Sequence, residues 1–208
     1  MATTTNYGWT TPDDTALVKD GAAAIRTLGS AIDTSLNTAL GTKKAGLVLL
    51  NTTSFSGVSS QSINDVFSAT YTNYKILLDT DASDADIGLS MRMRVSGADN
   101  TSNNYRWASG YKDTSAGAIS GQSGSGLTSS FRVLAASSVG RCFSSIDIFN
   151  PFTAEETGYV GNYFQIASVG FAQFVAANMS VTTSYTGFTL IPTAGTITGT
   201  VSVYGYNK

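Results

Sequence analysis

Short runs in which apolar and polar residues alternate fill most of the chain from about Gly46 onward. In residues 89–95 four apolar side chains point to one side of a strand, and the serine and arginines between them point to the other. Residues 197–203 show the same alternation. Further strands are predicted at 46–50, 63–70, 73–79, 104–112, 131–135, 143–149, 159–169 and 185–191. Such strands, separated by turns rich in Gly, Ser, Asn and Asp, predict a mainly β region that forms a β-sandwich of the jelly-roll kind.

Residues 16–40 are the one long Ala-rich stretch, and they predict an α-helix. Residues 11–14 are of types common at helix N-termini, with a proline suited to the first helical position, and Gly41 provides a stop. Inside the stretch, apolar residues recur at intervals of seven and three, which is typical of a coiled-coil seam. This seam consists of Val18, Ile25, Leu28 and Ile32. The same pattern also fits an amphipathic helix that packs on its own domain.

The first fifteen residues are rich in threonine and have no periodicity, which predicts an extended arm. They contain too few apolar groups to form a core, but they include large contact groups of the kind that become ordered on a partner. The candidate contact residues are Tyr7, Trp9, Pro12, Asp13 and Asp14. The chain is therefore predicted to consist of an arm at 1–15, a helix and linker at 16–45, and a β domain at 46–208.

The overall composition narrows the range of partners. Charged residues make up 12 % of the chain, about half of the roughly 25 % usual in soluble domains. Much of the polarity comes from 28 Thr and 27 Ser. A net charge of −2 provides no polybasic surface, so nucleic acid is not an expected partner. The longest aliphatic run, residues 47–50, is far below the roughly 20 residues that span a bilayer, so we expect no membrane insertion.

Candidate chemistry is sparse. The chain has no histidine and one cysteine, which excludes histidine triads, histidine metal cages and internal disulfides. Glu155 and Glu156 are adjacent and are more typical of a solvated loop than of a glycosidase pair. Four aspartates between Asp79 and Asp86 are able to bind Ca²⁺, but they lack the EF-hand spacing and also suit a turn between strands. We therefore predict no enzymatic activity, no cofactor and no metal site, with the aspartate cluster left open.

One aromatic segment is a candidate for ligand binding. Tyr105, Trp107 and Tyr111 are in phase on one strand face, next to Asn103 and Asn104. Aromatic rings flanked by Asn and Ser are typical of surfaces that bind sugars, through stacking and side-chain hydrogen bonds. The same residue types also build β-sandwich cores, so the pattern fits both a receptor-binding platform and a core.

Several segments resemble bacteriophage proteins. The stretch NYGWTTPDDTALVKDGAAAIRTLGSAIDTSL resembles the start of phage tail fibre and minor tail proteins, in which an aromatic segment anchors the fibre to the virion and a helix begins the trimeric shaft. The segments INDVFSATYTNYKILLD, IGLSMRMRVSG, NYRWASG and TITGTVSVYGYNK resemble a β-sandwich module found at the ends of such fibres. This chain departs from long fibres because it has almost no shaft.

The resemblance implies a homotrimeric tail fibre located in the virion, in its tail or baseplate, and assembled in the host cytoplasm. Its N-terminus would bind other virion proteins, and its β-sandwich would bind a glycan or protein of the host surface. Two alternatives are a capsid decoration or head fibre, or a baseplate component, either without a receptor role. A depolymerase is a third alternative, which the sequence does not favour because it shows no pair of catalytic carboxylates.

Overall fold

The computed structural model describes residues 2–12, 17–41, 46–82, 87–113, 118–124, 126–136, 140–166 and 170–207. The chain divides into two compact units, Met1–Ala45 and Gly46–Lys208, which we call the helical unit and the β unit. The described residues form one helix and fifteen strands. The prediction of a mainly β chain with one helix and antiparallel sheets is confirmed.

The beginning of the helical unit is a β-hairpin. Strands β1 (Ala2–Thr3) and β2 (Thr10–Thr11) pair antiparallel. The turn between them is closed by the Thr4 amide, which donates to the Trp9 carbonyl at 2.9 Å, and by Gly8, whose φ of +64° is the left-handed conformation that favours glycine. The prediction of an extended arm is therefore wrong for residues 2–12, because the backbone groups pair with each other.

Helix α1 extends over Val18–Gly41. Gly41, the predicted stop, is the last described residue of the helix, and the predicted start at residues 11–14 is wrong. Thr10 and Thr11 pair in the hairpin, so Pro12 follows a strand instead of opening the helix. Asp20 is the acidic residue of the first helical turn, where its charge favours the positive end of the helix dipole. Asp13 and Asp14 lie outside the described residues.

The β unit contains two antiparallel sheets. Its strands are β3 (Leu47–Val58), β4 (Gln61–Ile63), β5 (Asn73–Ala82), β6 (Ile87–Val95), β7 (Ala98–Asp99), β8 (Tyr105–Asp113), β9 (Ser120–Ser123), β10 (Phe131–Ala136), β11 (Cys142–Phe149), β12 (Gly158–Gln165), β13 (Phe171–Met179), β14 (Gly187–Pro192) and β15 (Ile197–Tyr206). One sheet has eight strands in the order β3-β15-β5-β11-β12-β13-β8-β9. The other has five, in the order β10-β6-β14-β4, with β7 paired to β6. The last strand of the chain thus lies between β3 and β5.

Several segments differ from the predicted strands. The strand predicted at 63–70 ends at Ile63, since Val66 and Phe67 are buried in a loop whose amides both donate to the Thr186 carbonyl. Strand β13 was not predicted. The turn expected from Asp79 onward is part of β5 as far as Ala82, because β5 pairs there with β15.

The two sheets share one core. Phe131 of β10 packs between Tyr105 of β8 and Tyr159 of β12, with ring centroids 4.8 Å and 5.4 Å away. Phe131 and Tyr105 are 0 % exposed. Cys142 is also buried, with Sγ 3.0 Å from the Tyr163 hydroxyl. Aromatic rings from both sheets therefore fill the space between them.

Candidate functional site

The predicted aromatic platform points largely into the core. Tyr105 donates its hydroxyl hydrogen to the Asn100 carbonyl at 2.8 Å and accepts the Met93 amide at 3.1 Å. Burial raises the pKa of Tyr105 well above its usual range, so the hydroxyl stays protonated. Tyr105 is therefore a core residue, and its assignment as a receptor-binding candidate is wrong. Tyr111 is half-buried and stacks on Phe171 at 5.2 Å.

Trp107 lies at the edge of this core, beside a surface groove. Its indole is half-buried, and the space above it is so tight that a Cβ on Gly124 would lie 3.0 Å from its Nε1. The groove next to it has a volume of about 660 Å³. Its lining consists of Arg106, Trp107, Ala108, Gly124, Gly126, Leu127, Ala176, Ala177 and Asn178. The groove thus combines an alanine floor with a guanidinium and a carboxamide at its walls.

The two asparagines beside this segment have different environments. Asn103 is exposed. Asn104 is half-buried, and its carbonyl accepts the Ser180 amide at 2.8 Å, which fixes the loop against the end of β13. At the other end of the groove, the Asn178 carboxamide donates to Glu156 at 3.0 Å. Glu155 accepts a separate hydrogen bond from Asn150, so each glutamate has its own hydrogen-bond donor.

A larger candidate surface is the side of the eight-stranded sheet that faces away from the core. We call it the outer face. In register, its side chains form four rows: Ser54, Thr200, Asp79, Phe143, Phe164 and Ala172; Thr52, Ser202, Leu77, Ser145, Asn162 and Phe174; Leu49, Tyr204, Lys75, Asp147, Val160 and Ala176; and Leu47, Tyr206, Asn73, Phe149, Gly158 and Asn178. Sequence reasoning missed this surface because its residues come from six strands.

The outer face is unusually apolar for a solvent-facing sheet. Its four phenylalanines, Phe143, Phe149, Phe164 and Phe174, are between 38 % and 57 % exposed. Phe143 lies directly opposite Phe164 in the β11–β12 pair. The ring of Phe174 lies across Gly110, where an added Cβ would be 2.2 Å from the ring. An antiparallel sheet with one face in water normally carries polar residues on that face, so this surface resembles one that contacts a partner.

Two ion pairs lie on the outer face. Lys75 Nζ lies 3.1 Å from Asp147 Oδ1, and the Tyr206 hydroxyl donates to the same oxygen. Partial burial lowers the pKa of Lys75, but the hydrogen bond and charge of Asp147 outweigh it and raise this pKa overall. The hydrogen bond to Asp147, together with burial, raises the pKa of Tyr206. Asp79 pairs with Arg141.

A groove of about 540 Å³ crosses the middle of the outer face. Leu77, Phe143 and Phe164 supply its apolar walls. Asn162, Thr200 and Ser202 supply polar groups along its length. The groove is thus suited to apolar side chains of a partner, with hydrogen-bonding groups between them.

On the helical unit, the predicted seam is divided between exposed and covered residues. Val18 is 96 % and Ile25 is 65 % exposed, whereas Leu28 and Ile32 are half-buried. The hairpin covers a neighbouring strip of the helix, with Trp9 Nε1 donating to Ser35 Oγ at 2.9 Å. One strip of the helix therefore packs within the unit, while Val18 and Ile25 stay exposed, and the coiled-coil seam remains a prediction.

The anchor residues Tyr7 and Trp9 stack on each other, with ring centroids 5.1 Å apart. Tyr7 is exposed and Trp9 is half-buried, while Pro12 is exposed just after the hairpin. The hairpin thus presents the Tyr7 ring to solvent and uses the Trp9 indole to hold the helix. A contact with another protein through this hairpin would centre on Tyr7.

No group of three or more acidic, histidine or cysteine side chains able to hold a metal occurs among the described residues. Asp84 and Asp86 of the aspartate cluster lie outside those residues, so the cation question stays open. No helix in the described ranges is long and apolar enough to cross a membrane. Comparison of the chain with protein-family models, with curated proteins and with solved structures finds no match.

Proposed function

We propose that this protein is a phage virion component, a homotrimeric tail fibre that attaches to the particle through its N-terminal hairpin and to the host surface through its β unit. The observation that carries the proposal is the open strip of the helix, where Val18 and Ile25 are exposed seven residues apart. Exposed apolar residues at this spacing favour association of parallel helices. The trimer number comes from the resemblance of the N-terminal segment to tail fibres.

The groove beside Trp107 is the proposed site of host contact. Its polar wall groups suit sugar hydroxyls, since Arg106 is able to donate hydrogen bonds and the side-chain oxygen of Asn178 is able to accept them. The half-buried indole supplies an apolar edge. A shallow groove of this kind binds weakly as a single site. Three copies in one fibre, and several fibres on one particle, would raise the overall affinity through avidity.

The finer fold assignment is part of the same proposal. We propose that the two sheets form a jelly-roll-like sandwich at the end of the fibre. This is supported by the return of the C-terminal strand β15 to a position between β3 and β5, since such long returns occur in Greek-key sandwiches.

A second candidate function is a structural virion protein without a receptor role, such as a capsid decoration, a head fibre or a baseplate component. The apolar outer face favours it, because exposed phenylalanines in register are typical of contacts between proteins. The two functions differ in whether the isolated protein binds bacterial cells.

The test is a cell-binding experiment with fluorescently labelled full-length protein at nanomolar concentration on a panel of Gram-negative and Gram-positive strains. The seam variant Val18→Asp/Ile25→Asp places charges on the open strip and is expected to dissociate the fibre and lose binding through lost avidity. The control Ala23→Asp/Ser30→Asp adds the same charges to exposed positions on the opposite side of α1. It should remain oligomeric and should still bind cells. Arg106→Ala should weaken binding, whereas Lys112→Ala, also exposed on β8, should not.

Two results contradict the proposal. A wild-type molecular mass of one chain, measured by light scattering at these concentrations, excludes the homotrimer. A wild-type trimer that binds no strain of the panel removes the host-contact role and leaves the structural one.

A further inference from the structure

The outward side of the five-stranded sheet is rich in arginine. Along its strands core residues such as Met91, Met93 and Leu190, each 0 % exposed, alternate with residues that point outward. We call this outward side the arginine face. Its described side chains on β4, β6, β10 and β14 are Ser62, Ser90, Arg92, Arg94, Arg132, Thr189 and Ile191, with Gly88 and Gly187 between them. It thus holds three of the six arginines of the chain.

One of these arginines, Arg94, has its partners within the chain. It pairs with Asp99 of β7 and donates from Nε to the Asn64 side-chain oxygen at 2.9 Å. It also donates from Nη1 to the Thr189 hydroxyl at 2.8 Å, and that hydroxyl donates to Asp99 at 2.7 Å. The carboxylate of Asp99 is therefore occupied by this cluster and does not neutralise the other two arginines.

Arg92 and Arg132 have no acidic partner among the described residues. Of the Arg92 donors, only Nε has a described partner, the Ser129 carbonyl at 3.1 Å. The Nε of Arg132 is buried and has no hydrogen-bond partner. Both side chains are half-buried, so their charges are partly removed from water without a counter-charge. A bound anion would supply this counter-charge and accept the remaining hydrogen bonds.

The two unpaired guanidinium groups lie on opposite sides of Ser90. Arg132 is directly opposite Ser90 in the β6–β10 pair, and its Nη1 is 3.4 Å from the position of a Cβ added to Gly88. Arg92 follows Ser90 by two residues in the other direction along β6 and leans toward Ser129. One small anion is therefore not suited to contact both groups, whereas an extended molecule with repeated acidic groups is.

The other side chains of the arginine face favour an acidic sugar polymer over other polyanions. Its described side chains include no aromatic ring on which the bases of a single-stranded nucleic acid would stack. Ile191 is the one aliphatic side chain among them, which is too little apolar surface for a lipid bilayer or for the core of a protein interface. Ser90, and the exposed Thr193 at the edge, supply hydroxyls that both donate and accept hydrogen bonds, as sugar hydroxyls do.

We propose that the arginine face binds an acidic polysaccharide, with Arg92 and Arg132 each contacting a carboxylate, phosphate or sulfate group and Ser90 contacting the sugar between them. Guanidinium groups hold such anions through paired hydrogen bonds, which are more directional than the contacts of a lysine ammonium. The site is separate from the groove beside Trp107, because that groove belongs to the eight-stranded sheet. It does not rest on the fibre role.

The experiment measures binding of the full-length protein to immobilised polymers by biolayer interferometry, at low and at physiological ionic strength. The acidic polymers are polygalacturonate, which carries carboxylates, a phosphomannan, which carries phosphates, and dextran sulfate. Neutral dextran and single-stranded DNA are the reference polymers. The variant is Arg92→Gln/Arg132→Gln. The control, Arg26→Gln/Lys112→Gln, removes the same number of positive charges at exposed positions outside the arginine face.

We expect the wild-type protein to bind at least one acidic polymer and not dextran, with binding weakened by salt because the contacts are electrostatic. The glutamine variant should bind at least about tenfold more weakly, since it loses two charge-assisted contacts, and the control should bind like the wild type. Arg92→Lys/Arg132→Lys keeps both charges but loses the paired hydrogen bonds, so its affinity should be intermediate. Thermal unfolding checks that each variant is folded. If the double variant is unfolded, the single changes Arg92→Gln and Arg132→Gln decide the question, and each should weaken binding.

Three results overturn the proposal. The first is a wild-type protein that binds none of the acidic polymers. The second is a glutamine variant that binds as strongly as the control, in which case Arg106→Ala shows whether the polymer occupies the groove beside Trp107 instead. The third is an affinity for single-stranded DNA equal to that for the acidic polymers, which would indicate an unspecific positive surface. Because the polymers are purified, none of these outcomes depends on whether the protein binds bacterial cells, so failure of the fibre proposal remains distinguishable.

Discussion

The helical unit and the β unit place their apolar side chains in opposite ways. In the β unit, aromatic rings such as Phe131 and Tyr159 are enclosed between two sheets. In the helical unit, one short hairpin covers one strip of a 24-residue helix and leaves Val18 and Ile25 in solvent. An isolated helix of this kind gains little stability from its own hydrogen bonds and depends on packing. The β unit is therefore expected to be stable within one chain, while the helical unit depends on association.

The same contrast recurs inside the β unit, between the two faces of the eight-stranded sheet. Phe131 and Phe174 are both aromatic residues that contact this sheet, but Phe131 is enclosed and Phe174 lies over Gly110 with more than half of its surface exposed. The inner face is occupied by aromatic packing, and the outer face offers similar groups to solvent. Stability and assembly should thus depend on different phenylalanines.

The largest expected effect tests whether a phenylalanine of the inner face stabilises the fold more than one of the outer face. Phe131→Ala removes a ring packed between Tyr105 and Tyr159 and leaves a cavity, so the free energy of unfolding of the β unit should fall by about 3–5 kcal/mol. Phe174→Ala removes an exposed ring and should change it by less than about 1 kcal/mol. Urea denaturation followed by tryptophan fluorescence measures both. Equal losses of unfolding free energy in the two variants would show that the outer face also stabilises the fold.

The second expected effect is a loss of folding stability at alkaline pH, caused by buried tyrosines. Burial raises the pKa values of Tyr105 and Tyr159 far above their ordinary value near 10. Above pH 10 the folded state therefore keeps protons that the unfolded chain releases. The contribution of these tyrosines to the free energy of unfolding is complete below pH 10 and is lost as the pH rises above 10. At about pH 11 the two residues should together remove about 3 kcal/mol.

The measurement is denaturant unfolding at a series of pH values from neutral upward. The chain has no histidine, so no histidine titration adds a slope near neutrality. Tyr159→Phe removes one titrating group and should make the alkaline decline shallower. An alkaline decline that starts well below pH 10, or one that is unchanged in this variant, would contradict the assignment of the effect to buried tyrosines.

Strands with one buried apolar face and one exposed polar face could be predicted from the sequence. Strand β6 alternates between buried methionines and half-exposed arginines, and its period of two was visible. Strand β13 was missed because Phe174 and two alanines face outward. Neither face carries a charged residue, so the alternation of apolar and polar side chains is not visible in the sequence. Residues 66 and 67 were mistaken for a strand because burial in a loop gives the same apolar signal as burial in a sheet.

The candidate surfaces were predictable only in part. The in-phase spacing of Tyr105 and Trp107 was visible, but the side of the sheet that receives the second sheet depends on long-range pairing. The outer face is even less accessible to sequence reasoning, since Leu77, Phe143 and Phe164 come together only through strand register. An available signal was the apolar character of β11 and β12 on both faces, which distinguishes them from strands with one face in water.

The smallest expected effect concerns the helical unit alone. Trp9→Ala removes the hydrogen bond from the indole to Ser35 and the stacking on Tyr7, and it should weaken the packing of the hairpin on α1 by about 1 kcal/mol. Hydrogen exchange followed by mass spectrometry should then show protection of the central helix amides reduced by about fivefold, with the β unit unchanged. Ser35→Ala should produce part of the same loss, and the double variant should lose less than the sum, since the two side chains share one contact. Full additivity, or a loss of protection in the β unit, would show that Trp9 acts through contacts other than the one with the helix.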